Sequence, residues 1–205
     1  MLISKPPAIL KPLARDLIWD IPNDEGKVYL TFDDGPLPGV TDQILDMLRE
    51  ARARATFFCI GNNVKKHPGL FQRILDEGHA VGNHTMSHVN GWKTNEKEYL
   101  QEVKDCQALT GTNLFRPPYG RIKKRQVRAL APHYKIVMWS IISGDYDSSI
   151  SKEKCYSIVE KNLKPGSIVV FHDSEKAKES VLDVLPRTLC LMKEKGWTSH
   201  ALQFD

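Results

Sequence analysis

The sequence has no Cys-x-x-Cys pair. Its four cysteines, Cys59, Cys106, Cys155 and Cys190, lie far apart, and three of them fall in apolar helix or strand patterns. A zinc knuckle and a disulfide frame are thereby excluded, and four reduced thiols are expected. No apolar run is long enough to span a membrane. There is no glycine-rich loop of the phosphate-cradling kind and no base-stacking aromatic motif, so nothing supports work on nucleotides or nucleic acid. The net charge of +4 is too small an excess to call for a polyanion by itself. No internal repeat or linker divides the chain. Met1 to Pro7 lack the basic stretch and apolar core of a secretory signal, so a cytoplasmic protein is expected.

What is present is an ordinary globular composition. With 41% hydrophobic and 26% charged residues over 205, the chain suits one domain with a substantial core. Val28-Tyr29-Leu30, Ala55 to Ile60, Ala80 to Asn83, Lys135 to Trp139 and Ser167 to Phe171 read as short buried strands. Leu114-Phe115 and Thr198 to Phe204 are weaker candidates. Between them, Val40, Ile44, Leu48 and Ala51 recur at helical spacing, as do Leu70, Phe71, Ile74 and Leu75, and later Leu182, Leu185, Leu189 and Met192. Asn62 is placed to cap a short helix, and Asn95 with Glu98 to form a capping box. Pro186 is expected in the first turn of the last helix or as a kink in it. Arg121 to Arg128 suits a solvated helix face, and Ser140 to Ser149 a polar loop. Strand and helix alternate with connections too long for hairpins, which argues a mostly parallel sheet covered by helices.

The chemically useful residues fall immediately after the strands: Asp33 and Asp34, His84 and His88, Arg116, Asp145 and His172. In a parallel sheet those strand ends lie on one face, so the side chains converge. Two adjacent carboxylates repel, and their roles must be separated by a cation on one or a raised pKa on the other. His84 and His88 are four apart, which on one helical turn aims both imidazoles the same way. With Asp34 they make three protein ligands and leave a position open, as in catalytic zinc sites, although Co²⁺ or Mn²⁺ also suits such donors. Taken singly, each feature also has a plain structural reading. Asp-Asp-Gly-Pro suits an acidic turn, Arg116 the neutralisation of a helix terminus, Pro117-Pro118 a stiffened loop, and His172 a histidine bonded to backbone.

Taken together and in order, Thr31-Phe32-Asp33-Asp34-Gly35, His84-Thr85-Met86-Ser87-His88, Arg116-Pro117-Pro118-Tyr119 and His172-Asp173 resemble the successive motifs of the polysaccharide deacetylases. These are carbohydrate esterases that share the NodB homology domain. The resemblance runs from about Val28 to the last helix. It implies an α/β fold, a distorted (β/α) barrel of about seven parallel strands. Residues 1–27, with an apolar patch at Leu13, Leu17, Ile18 and Trp19, would be a lead-in segment packed on the barrel, and 28–205 the catalytic domain. It further implies that Asp34, His84 and His88 hold one divalent metal, zinc first and cobalt or manganese as alternatives. Asp33 would be the base for metal-activated water and His172 the acid. Arg116 would orient Asp33, Asp145 would support His172, and the backbone N–H of Tyr119 would bind the oxyanion. Pro117, Tyr119, Trp139, Tyr146 and Val170 would line the substrate groove, Val170 standing where the family places a leucine beside the acetyl methyl group.

One stretch departs from the family pattern. Trp139-Ser140-Ile141-Ile142-Ser143-Gly144-Asp145-Tyr146-Asp147 has Ile142 in place of an aspartate and Tyr146 in place of a second tryptophan. The supporting carboxylate is kept if Asp145, rather than Asp147, is the counterpart. The expected activity is removal of N-acetyl groups from amino-sugar oligomers or polymers, of chitin-oligosaccharide or peptidoglycan type. The expected protein is a monomer with no nucleic-acid partner. The alternatives are the same metal site acting on a cyclic imide or acetylxylan, and a carbohydrate-binding relic of the fold. Relatives that act on cell walls are exported, which stands against the cytoplasmic expectation.

Overall fold

A computed structural model describes residues 16–204. Leu13 of the apolar lead-in patch lies outside them. The strands are β1 (Leu17–Ile18), β2 (Lys27–Asp33), β3 (Thr56–Cys59), β4 (Ala80–Asn83), β5 (Leu114–Phe115), β6 (Lys135–Val137), β7 (Ile141–Ile142), β8 (Ile168–His172) and β9 (Thr198–Ser199). The helices are α1 (Thr41–Glu50), α2 (Gly61–Lys66), α3 (Pro68–Asp76), α4 (Glu96–Thr110), α5 (Lys124–Leu130), α6 (Lys152–Asn162) and α7 (Lys178–Glu194). Eight strands follow one another in the order β1-β6-β5-β4-β3-β2-β8-β7, every named pair parallel, and β9 adds to the start of β2. The sheet is a distorted barrel of eight strands, against the seven expected. The additional pairing comes from Leu17–Ile18, which run beside Ile136 and Val137.

Among the described residues no ladder joins β7 back to β1. The margins meet through an isolated antiparallel bridge between Asp20 and Ser167 and the bond from Ile21 N–H to the Gly166 carbonyl at 2.9 Å.

Strand alternation decides which side chains face the barrel axis. Val28, Leu30 and Phe32 of β2 pack outward with Phe57 and Phe171 against Ile44, Leu45 and Leu48 of α1 and Val181, Val184 and Leu185 of α7. The intervening Tyr29 packs with Phe58, Leu114, Val137 and Ile168 in a smaller inner cluster. Thr31 and Asp33 share Tyr29's face, and β8 presents Ile168, Val170 and His172 in the same alternation. A third cluster sets Tyr99 and Val103 of α4 against Phe115, Ile136 and Tyr134.

Asn95 caps α4 as expected, its side chain accepting the Glu98 N–H at 2.9 Å. Asn62 does not cap: α2 begins one residue earlier, at Gly61, and its N-cap Ile60 makes no side-chain bond. Pro186 lies in the interior of α7, where it removes one i→i−4 bond and the helix continues through it. The loop expected over Ser140–Ser149 contains β7, and the strand expected to reach Trp139 ends at Val137. No helix among the described residues is long and apolar enough to cross a membrane.

The seam is the weak side of the barrel, and Gly166 sits on it with φ +84°. A Cβ there would lie 2.5 Å from the Ile21 carbonyl oxygen. Gly166→Ala is expected to cost roughly 2–4 kcal/mol, from left-handed strain plus overpacking. That corresponds to a fall in Tm of roughly 5–15 °C. An unchanged melting curve would show that the seam does not need this close approach.

Candidate metal centre and active site

The largest fully buried side chain among the described residues is charged. Arg116, the residue after β5, is fully buried, its guanidinium 4.0 Å from the centre of the Phe58 ring. All three nitrogens of the fork donate. One terminal nitrogen donates to Thr31 Oγ1 and Asp33 Oδ1, both at 2.7 Å. The other donates to the Met138 carbonyl at 2.9 Å, and Nε to the Val137 carbonyl at 3.2 Å. Burial pushes the Asp33 carboxyl up, but the charge and hydrogen bond of Arg116, with His172 beyond, outweigh it and hold Asp33 below the ordinary carboxylate range.

Adjacent residues on a strand point to opposite faces. Asp33 and Asp34 nevertheless line one groove, because β2 ends at Asp33 and Asp34 takes φ 89°. That conformation is unfavourable for most residues, and aspartate is among those that tolerate it. Asn63 of α2 holds it, its amide donating to the Asp34 carbonyl at 2.7 Å. Behind the turn, buried Asp173 accepts the Gly35 N–H at 2.8 Å and bonds the Thr41 hydroxyl at 2.6 Å. A Cβ on Gly35 would meet that carboxylate at 1.8 Å, so only glycine fits. Burial pushes Asp173 up to about 8.

His84 and His88 arrive from the segment after β4. It is not the helical turn their spacing suggested: Thr85 and His88 both have left-handed φ, 63° and 60°. The bends are fixed by Asn83 Oδ1, which accepts the Thr85 N–H, and by Thr85 Oγ1, which accepts the Val89 N–H. His84 Nδ1 faces the Arg116 carbonyl at 2.8 Å, and since a carbonyl only accepts, Nδ1 carries the proton and Nε2 offers its lone pair. Burial holds His84 down to about 4, so the ring is neutral.

Asp34 Oδ1 lies 3.7 Å from His84 Nε2 and 3.2 Å from His88 Nε2, and the three ligand atoms fall within 4.8 Å of one another. Asp34 Oδ1 is buried without a hydrogen-bond partner. An orphaned carboxylate oxygen beside two imidazole nitrogens is the donor set a divalent cation of the zinc, cobalt or manganese kind fits.

Opposite, at the end of β8, His172 Nδ1 meets Asp145 Oδ1 at 2.8 Å, and the His172 backbone N–H donates to Oδ2 at 2.7 Å. Asp145 therefore holds both ring and backbone, while Asp147 is occupied with Ser149. Burial alone would lower His172, but Asp145 raises it to about 9. The Tyr146 ring packs edge-on against the imidazole, centroids 4.8 Å apart. Asp33, Asp34, His84, His88 and His172 open on one groove of about 870 Å³, which Pro117, Tyr119, Trp139, Tyr146 and Val170 also line. Every site residue read from the strand ends is thus brought to this groove or bonded directly behind it. Sequence reasoning missed Asn63, and Asp173 as the brace of Gly35. The Asp173 signal was there, a second acid after an apolar strand.

A family model described as polysaccharide deacetylase matches residues 20–136, more than half of the chain. The chain belongs to the polysaccharide deacetylase family. It is 35% identical over 186 residues to a peptidoglycan-N-acetylglucosamine deacetylase of Bacillus cereus, covering 87% of each chain. To a chitooligosaccharide deacetylase of Rhizobium leguminosarum bv. trifolii it is 37% identical over 176 residues, covering 78% of this chain and 79% of the relative. Among solved structures, it is similar to a peptidoglycan N-acetylglucosamine deacetylase in complex with 4-naphthalen-1-yl-N-oxidanyl-benzamide. There the TM-score is 0.87 at 32% identity, over 96% of this chain and 95% of that one.

The His172–Asp145 pair makes a titration test of this deacetylase-family site. A raised folded pKa gives stability that is complete below the ordinary value of 6.5 and lost as pH rises through about 9. In metal-free Asp145→Asn, the NMR titration of His172 is expected to fall by roughly a unit or more. The alkaline loss of stability should flatten with it. A His172 titration that stays near 9 would remove Asp145 as its cause.

Proposed function

We propose that this chain is a metal-dependent N-deacetylase of amino-sugar oligomers or polymers. The observation that carries the reading is a pair of buried ion pairs, Asp33–Arg116 and His172–Asp145, which meet across a groove at an orphaned Asp-His-His donor set. In the sheet order, His172 comes from the neighbour of β2 on one side and His84 from two strands away on the other. A substrate amide between them would face a base and an acid at once.

Asp34, His84 and His88 would hold the ion. A divalent cation there supplies Lewis acidity, which polarises an amide carbonyl and makes water more acidic. Asp33 accepts a proton from the water that adds to the acetamide carbon. Arg116 keeps Asp33 ionised and fixes its Oδ1, leaving Oδ2 toward the groove, where it lies 4.0 Å from His84 Nε2. The backbone N–H of Tyr119 is the proposed donor to the developing oxyanion. His172, kept protonated by Asp145, gives its proton to the amine nitrogen as the carbon–nitrogen bond breaks. The products are acetate and a free amino sugar. Val170 offers an apolar wall for the acetyl methyl group, and Trp139 and Tyr146 offer ring surfaces for the sugar. The names of the relatives support both chitin-oligosaccharide and peptidoglycan substrates.

Metal content and acetate release from N-acetylglucosamine oligomers test this reading together. Asp33→Asn is expected to retain the metal and to lose roughly two to four orders of magnitude in rate, the usual share of a positioned base. Asp34→Asn and His84→Ala are expected to lose the metal itself. Wild-type protein that releases no acetate from any acetamide, yet hydrolyses acetylated xylan, would overturn the N-deacetylase assignment.

A further inference from the structure

We propose that the rim of the groove at Arg121 and Tyr119, with Trp92 beside it, is a subsite for a carboxylate borne by a sugar next to the one being deacetylated. The inference rests on the deacetylase reading and deepens it from any amino-sugar chain to one with acidic units.

Among the described residues three large hydrophobic side chains are exposed, Leu75, Trp92 and Tyr119. The two most exposed, at 59% each, stand beside one cation. The Arg121 guanidinium lies 5.3 Å from the centre of the Trp92 ring and 6.0 Å from that of Tyr119. On its other side Tyr119 packs on His88, ring centroids 4.6 Å apart, so this rim is continuous with the metal centre. Arg121 and Tyr119 both line the groove.

The platform is built rather than loose. The Trp92 indole N–H donates to the Ile122 carbonyl at 3.3 Å, and the Trp92 backbone N–H to Asn90 Oδ1 at 3.0 Å. The loop that carries it is pinned by the Gln126 amide on the Gly91 carbonyl at 3.0 Å and by Lys123 Nζ on the Thr94 carbonyl at 2.9 Å. A Cβ at Gly91 would lie 2.3 Å from the Arg121 carbonyl oxygen, so the two backbones touch. An exposed tryptophan held this way has given up its freedom before any ligand arrives, which lowers the cost of binding.

The charge selects the ligand. Arg125 nearby is paired with Glu96, whereas Arg121 forms no ion pair among the described residues. A guanidinium fork beside aromatic rings presents paired donors in its own plane, which match a carboxylate bidentately. A pyranose ring can pack on the aromatic surface that Arg121 leaves uncovered. A neutral oligosaccharide would use the rings and leave the arginine without a partner.

The test uses metal-loaded full-length protein and one oligosaccharide in two forms. It alternates N-acetylglucosamine with a sugar bearing a lactyl-ether carboxylate, either free or as the methyl ester. Acetate release and calorimetric binding are both recorded. The wild type is expected to favour the free acid about ten-fold or more in kcat/KM and in Kd, the scale of a charge-assisted hydrogen bond. Arg121→Gln should abolish that preference, Arg121→Lys should restore part of it, and Trp92→Ala should weaken both forms alike. A wild type without preference, or a preference that survives Arg121→Gln, overturns the subsite. Carboxylate-dependent binding lost in Arg121→Gln but without any acetate release would uphold the subsite and refute the deacetylase reading.

Discussion

The site depends on one buried cation. Arg116 sits inside the barrel with all three nitrogens of its fork bonded, to Thr31, Asp33 and two carbonyls at the end of β6, while its own carbonyl oxygen orients His84. One residue thereby sets the ionisation of Asp33 and the tautomer of His84. A buried charge stripped of its partner typically costs about 3–5 kcal/mol. Asp33 and Arg116 are for that reason bound to each other thermodynamically as well as geometrically. The rest of the arrangement follows from where β2, β4 and β8 end relative to that fork.

The second constraint is that two neighbouring carboxylates repel unless their environments differ. Their environments separate them. Asp33 lies in the strand, facing the barrel axis and paired to Arg116. Asp34 lies one residue beyond, in a left-handed conformation held by Asn63, with an oxygen that bonds to nothing. Asp173 and the close packing at Gly35 keep the turn from relaxing. The strained backbone at Asp34, Thr85, His88 and Tyr119 clusters around this one centre, as expected where geometry is held against local preference.

Much of this was legible in the residues. Short apolar runs followed at once by Asp33, His84 or His172 mark strand ends, and a parallel sheet puts such ends on one face. The family resemblance gave Asp145, rather than Asp147, as the support of His172, and in the fold its carboxylate bonds both the ring and the backbone N–H of that residue. What could not be read was local backbone conformation and distant pairing. The spacing of His84 and His88 suggested a helical turn, yet two left-handed residues bring the imidazoles together by another path. β1 and β7 are two residues each, too short for alternation to register, and they carry the eighth strand and the barrel's margin. Pro186 was expected in the first turn of the last helix or as a kink in it because propensity is local, whereas tertiary packing of Val184 and Leu185 carries α7 through it. Trp92 had no periodic partner in the sequence; only the fold brings it beside Arg121.

The central claim is that Asp34 binds the ion while Asp33 stays outside its shell, held by Arg116. Anomalous diffraction from crystals loaded with zinc or cobalt tests it most directly. The expected result is one peak bonded to Asp34, His84 and His88, with Asp33 still hydrogen-bonded to Arg116. A peak ligated by Asp33, or displaced to its far side with Asp34 free, would contradict the account.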